Sequence, residues 1–129
     1  MFVVIVGSRE RNVEEDRDKV AELLNELHGK YPSLVVTSCG CDRGVGLWVK
    51  EFCMTRANRD RFRFVEISAK MYGVGLVRTQ KAQIFMARNS MLVEMGEEFH
   101  VFNDTSGRRN AVSDLCSRLT NAGRGYITH

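Results

Sequence analysis

Several things are scarce in this 129-residue chain, and each scarcity excludes something. No apolar run approaches the ~20 residues needed to cross a bilayer, so a membrane-spanning helix is not expected. The first residues, Met1-Phe2-Val3-Val4-Ile5-Val6, show neither a basic leader nor a small-residue cleavage site. No signal peptide is therefore expected, and the expected location is the cytoplasm. In that compartment the four cysteines, Cys39, Cys41, Cys53 and Cys116, are not expected to form disulfides. Only three histidines are present, His28, His100 and His129, and none is paired at metal-ligand spacing. Cys39-Gly40-Cys41 is closer than the usual zinc spacing, and two further ligands are lacking, so no metal is expected. No histidine falls in a loop that reads as a site either, which argues against Ser-His-Asp and Cys-His catalysis. There is no G-x-x-x-x-G-K-[ST] phosphate loop and no G-x-G-x-x-G after the first strand. No linker, repeat or low-complexity tract divides the chain, and one domain over residues 1–129 is expected.

What is present is an ordinary globular composition, with 43% hydrophobic and 27% charged residues. The net charge of +3 is mild and permits a nucleic acid partner without requiring one. Its local concentration is sharper: Arg56, Arg59, Arg61 and Arg63 crowd eight residues. They read either as a solvated helix end or as an edge facing an anion.

Along the chain the apolar period switches between strand and helix. Phe2 to Val6 is a continuous apolar run, as in a strand buried on both faces. Val13 to His28 reads as an amphipathic helix, with Gly29 its expected stop. Leu34 to Thr37 is a second strand, and helix runs from Val45 to about Ala57 with Cys53 as core filler. Phe62 to Ile67, Thr79 to Met95, Phe99 to Phe102, Asn110 to Asn121 and Gly125 to Thr128 read as strand, helix, strand, helix and strand. This alternation implies right-handed crossovers. The expected fold is a Rossmann-like three-layer α/β/α domain with a mostly parallel sheet of about five strands. Ligands of such sheets lie beyond the carboxyl ends of the strands, where strand order reverses. The loops after strands one, two and four should therefore converge.

Those loops carry residue types suited to phosphate. In Gly7-Ser8-Arg9 the glycine allows a sharp turn and close approach, the serine adds a hydroxyl, and the arginine offers a fork that fits phosphate. In Ser38-Cys39-Gly40-Cys41-Asp42-Arg43-Gly44 small residues let a phosphate or ribose rest on backbone amides. Arg88 and Asn89 are polar in an otherwise apolar helical stretch. Asn103-Asp104-Thr105-Ser106-Gly107-Arg108 either caps the last helix or holds ligand hydroxyls. Met86, Met91 and Met95 read as core packing, with pairing to a second copy the alternative.

Taken together, Gly7-Ser8-Arg9, Ser38 to Gly44, Arg88-Asn89-Ser90-Met91-Leu92 and Ser106 to Asn110 give the chain its likeness. It resembles the SLOG superfamily, the Rossmann-like group of the SMF/DprA proteins and the LOG enzymes, and most of all its small stand-alone bacterial and phage members. The resemblance implies a nucleotide-type ligand, without a cofactor, held by Gly7, Ser8, Arg9, Ser38, Cys39, Gly40, Gly44, Arg88, Asn89, Thr105, Ser106 and Gly107. The P-G-G-x-G-T-x-x-E signature of the LOG phosphoribohydrolases is absent, and Arg108-Arg109-Asn110 stands where its glutamate would be sought. A ligand class follows from the resemblance more than a reaction does. If the protein is an enzyme, N-glycosidic hydrolysis of a nucleotide needs a carboxylate, and Asp104 and Asp42 are the candidates. A third reading, by likeness to DprA, is single-stranded DNA binding through Arg9, Arg43 and the Arg56–Arg63 cluster.

Overall fold

A computed structural model describes residues 1–39, 43–68, 81–103, 107 and 109–129, with backbone alone for 81–83. Five strands, β1 (Phe2–Gly7), β2 (Val35–Ser38), β3 (Arg63–Glu66), β4 (Glu98–Phe102) and β5 (Ile127–Thr128), form one sheet in the order β3-β2-β1-β4-β5. Every pairing is parallel, with Gly7 in register with Phe102 and Ser38 with Glu66. The chain builds outward from β1 to β3, then returns to the other side of β1 with β4. Strand order thus reverses between β1 and β4, and their carboxyl ends flank the crevice where ligands of such sheets bind.

Among the described residues four helices cover the sheet: α1 (Glu14–Lys30), α2 (Val45–Met54), α3 (Lys81–Met95) and α4 (Ala111–Asn121). Alternation along the strands divides the core in two. Val3, Ile5, Val36 and Phe102 pack with Leu24, Leu27, Val45, Val49 and Cys53 of α1 and α2. Val4, Val6, Phe99 and Val101 pack on the other face with Leu92, Leu115 and Leu119 of α3 and α4. The result is the expected three-layer α/β/α fold, with all described pairings parallel. Val3 to Val6 are all buried because β1 lies mid-sheet. Each such side chain contributes about 1.5–3 kcal/mol of hydrophobic stabilisation. Among the described residues no helix is long and apolar enough to cross a membrane.

Several boundaries differ from expectation, each for a local reason. Helix α1 passes through Gly29 and ends at Lys30. Gly29 does not have the positive φ of a helix-terminating glycine. Pro32 does the terminating: it forces Tyr31 into extended backbone (φ −118°, ψ 114°). Helix α2 stops at Met54, short of Ala57, because Thr55 is extended. The Thr55 hydroxyl and the Asn58 side-chain Nδ2 both donate to the carbonyl of Phe52, which lacks a helical partner at this end. Met86 is not core: it is 47% exposed, whereas Met91 and Met95 pack against the α3–α4 side. Five residues separate Met86 from Met91, which turns it well away from the packed stripe.

Candidate functional site

The site is built from the ends of β1, β2 and β4. Strand β1 delivers Gly7 against α2 so closely that a side chain there would collide with Val45. The chain then leaves the sheet at Ser8, whose amide donates to the Phe102 carbonyl at 2.8 Å, tying the β1 loop to the end of β4. The buried Ser8 hydroxyl accepts the Glu10 amide at 3.3 Å, and the Ser8 carbonyl accepts the Arg11 amide at 3.1 Å. A compact turn results, with Arg9 exposed on it.

The loop after β2 is laid against this turn. Gly44 has φ +77°, a conformation open to glycine at little cost, and serves as the N-cap of α2. A Cβ there would stand 3.2 Å from the Arg11 carbonyl and 3.3 Å from that of Ser8. Glycine is thus required both for backbone shape and for contact between the two loops. The Ser38 hydroxyl donates to the Ile5 carbonyl at 2.8 Å, fastening the end of β2 to β1. Arg43 is exposed and pairs with Glu10 at 3.2 Å, a second link between the loops.

Helix α3 supplies the third side. Arg88 and Asn89 are both buried, 4% and 1% exposed. The Arg88 guanidinium donates twice to Asn89 Oδ1, at 3.0 and 3.3 Å, and reaches the Cys39 carbonyl at 3.5 Å, the long limit of a hydrogen bond. Its carbon lies 5.2 Å from the centroid of the Phe85 ring. Asn89 in turn donates to the Ala111 carbonyl and the Asp114 carboxylate, at 2.8 and 2.9 Å. Arg88-Asn89 therefore bridges the β2 loop to the first turn of α4, the helix that follows β4.

The structure brings Gly7, Ser8, Arg9, Ser38, Cys39, Gly44, Arg88 and Asn89 to this one end of the sheet. Gly107, with φ +72°, is exposed and open on the side a Cβ would occupy. Gly40, Thr105, Ser106, Asp42 and Asp104, and with them both candidate catalytic carboxylates, lie outside the described residues. Capping of α4 falls to Asn110: its side chain accepts the Ser113 amide and the Ser113 hydroxyl accepts the Asn110 amide, each at 2.8 Å.

Neither a family model nor a curated protein matches the chain.

Two residues of this region were not singled out from sequence. Arg11 pairs with the buried Asp16, donates to the carbonyls of Asn103 and His129, and lies over the Phe102 ring. It fastens the β1 loop to the ends of β4 and β5. Nothing marks it in sequence, since Asn103 is 92 residues away. Thr37, 0% exposed, carries the one buried side-chain polar atom without a hydrogen-bond partner among the described residues. It shares a sheet face with Cys39, two residues on. A threonine in an apolar strand reads as strand former, so only the structure distinguishes it.

Proposed function

We propose that the chain is a binding module for a phosphate-bearing nucleotide or nucleotide-derived ligand, a sensor or sequestering protein acting at the carboxyl ends of β1, β2 and β4. The observation that carries this reading is the buried charge of Arg88. A guanidinium is always protonated, and burying one costs several kcal/mol unless it is compensated. Arg88 finds carbonyl and amide oxygens, yet among the described residues no carboxylate pairs with it. An anionic ligand would supply the missing counter-charge, and the planar fork suits phosphate. The Thr37 hydroxyl, without a hydrogen-bond partner among the described residues, lies on the same face, ready to donate or accept. The position agrees with the general site of parallel α/β sheets, and the resemblance to the SLOG superfamily supports the same ligand class.

The test is a thermal-shift panel of mononucleotides, ADP-ribose, NAD and cyclic dinucleotides. A ligand at ~100 times its Kd stabilises by roughly 2.7 kcal/mol, several degrees for a chain of this size. A panel in which no phosphate-bearing ligand shifts the melting point overturns the proposal. The stabilising ligand, recovered after incubation, then sorts a binder, which returns it intact, from an N-glycosidic hydrolase, which releases the free base.

A further inference from the structure

The edge of the sheet beyond β4 gathers ionisable groups under α1. Glu98, His100 and Phe102 alternate onto the face of β4 turned to that helix. Two imidazoles meet there: His100 Nδ1 lies 2.8 Å from Nε2 of His129, the residue after β5. His100 is 4% exposed, and its Nε2 stands 3.2 Å from the Glu98 carboxylate. The His129 ring also stacks on Phe102, with centroids 4.6 Å apart. Glu98 is shared with the Tyr31 hydroxyl at 3.0 Å and the Lys30 ammonium at 3.8 Å. Helix α1 turns Lys19, Glu22 and Glu26 towards His129, and Arg11 donates to the His129 carbonyl.

These partners fix the hydrogens. An ionised carboxylate only accepts, so a neutral His100 carries its hydrogen on Nε2 and offers the lone pair of Nδ1, to which His129 donates. Glu98 stays ionised beside them: burial would raise its pKa, but hydrogen bonds from His100 and Tyr31 and the charges of His100 and Lys30 outweigh burial and hold it low. One added proton still leaves a donor facing a lone pair, whichever ring takes it. Two leave N–H facing N–H, with a positive charge on each ring. Burial first, then the charges of His100 and Arg11, hold the pKa of His129 below its ordinary value; Glu26 opposes them and Lys19 adds to them.

Strand β5 has little else to hold it. Ile127 and Thr128 are both exposed, and the His129 amide donates to the Val101 carbonyl at 2.9 Å. Arg124, bonded to the Gly96 carbonyl at 2.6 Å, and the Tyr126 hydroxyl, bonded to Cys116, fasten the chain as far as β5 but not beyond. We propose that His100 and His129 form an acid-sensitive latch, which holds β5 on the sheet while the pair carries at most one proton and releases it when both rings are charged. Release takes the His129 carbonyl from Arg11, which also binds Asp16 and the Asn103 carbonyl at the β1 turn. The acid response of β5 thereby reaches the end of the sheet where the proposed ligand site stands, whatever ligand that site takes.

The test is amide hydrogen exchange of the full chain, read residue by residue by NMR between pH 7.5 and 5 and corrected for the intrinsic pH dependence of exchange. Protection of the His129 amide should fall roughly tenfold or more over that range, since release takes up a proton. Protection of the Ile67 amide, which donates to the Ser38 carbonyl between β3 and β2, should stay nearly constant and so separates local release from global unfolding. His100→Gln replaces the ring with an amide that does not titrate, and protection at residue 129 should then no longer depend on pH. Should H100Q fold poorly, H129Q keeps the buried ring and carries the same expectation. Protection of His129 that holds to pH 5, a fall matched at Ile67, or a fall in the Gln variants equal to the parent's overturns the proposal.

Discussion

A Cβ placed on Gly7 would stand 2.5 Å from the Cβ of Val45. The two residues fix how near α2 lies to the end of β1, and so where the β2 loop meets the β1 turn. Val45 is fully buried and Phe102 closes the other side at 3.1 Å, so the contact has little room to relax. Gly7→Ala should therefore cost about 1–3 kcal/mol, as overpacked cores do. Denaturant unfolding should show a lowered midpoint at unchanged slope. An unaltered midpoint would mean that α2 shifts without penalty.

Asp114 makes the junction of α3 and α4 sensitive to acid. Burial alone would raise its pKa, but hydrogen bonds from Asn89 and Arg118 and the charges of Arg118 and Arg109 outweigh burial and hold it below the ordinary value. A carboxyl whose pKa is lower folded than unfolded stabilises the fold above its unfolded pKa, near 3.8, and ceases to do so as pH falls through the folded value. Parent and D114N, unfolded by urea between pH 6 and 3, should differ most at pH 6 and converge below about pH 4. A difference independent of pH would contradict this role.

Cys53 should be chemically silent in the folded protein. Burial between α1 and α2 pushes its thiol pKa up to about 12, so almost no thiolate exists near neutrality. Mass spectrometry after iodoacetamide treatment at pH 8 should find Cys53 unmodified until denaturant is added, with the partly exposed Cys116 modified earlier. Rapid native labelling of Cys53 would show that the α1–α2 layer opens readily.

How legible was this in the sequence? Local periodicity carried the layers. The unbroken apolar run Phe2–Val6 announced a strand buried on both faces, and the stripe of Val13, Val20, Leu23, Leu24 and Leu27 announced the face of α1 that packs on it, except that Val13 is the N-cap and stands 57% exposed. Ends were harder, since they turn on competition between neighbours: Gly29 resembles a stop, but Pro32 decides. The convergence of Gly7, Ser38 and Gly44 was legible because strand order places such loops together, whereas Arg88, on helix α3, was pointed to by the resemblance alone. Contacts between distant residues were not. Arg11 reaching Asn103, or Arg88 meeting Asn89 instead of a carboxylate, depends on packing that no spacing in the sequence records.

The central claim is that the buried Arg88 charge awaits a ligand's phosphate, and Arg88→Met tests it most directly. The substitution removes the charge and keeps much of the side-chain volume. Thermal stability should be measured with and without the nucleotide that most stabilises the parent, in the same buffer. If the phosphate pairs with Arg88, the parent rises by several degrees and R88M does not rise at all, although R88M without ligand still melts cooperatively. An R88M protein that gains the parent's full shift would contradict the claim, and Arg88 would then be a bridge between α3 and the β2 loop and nothing more.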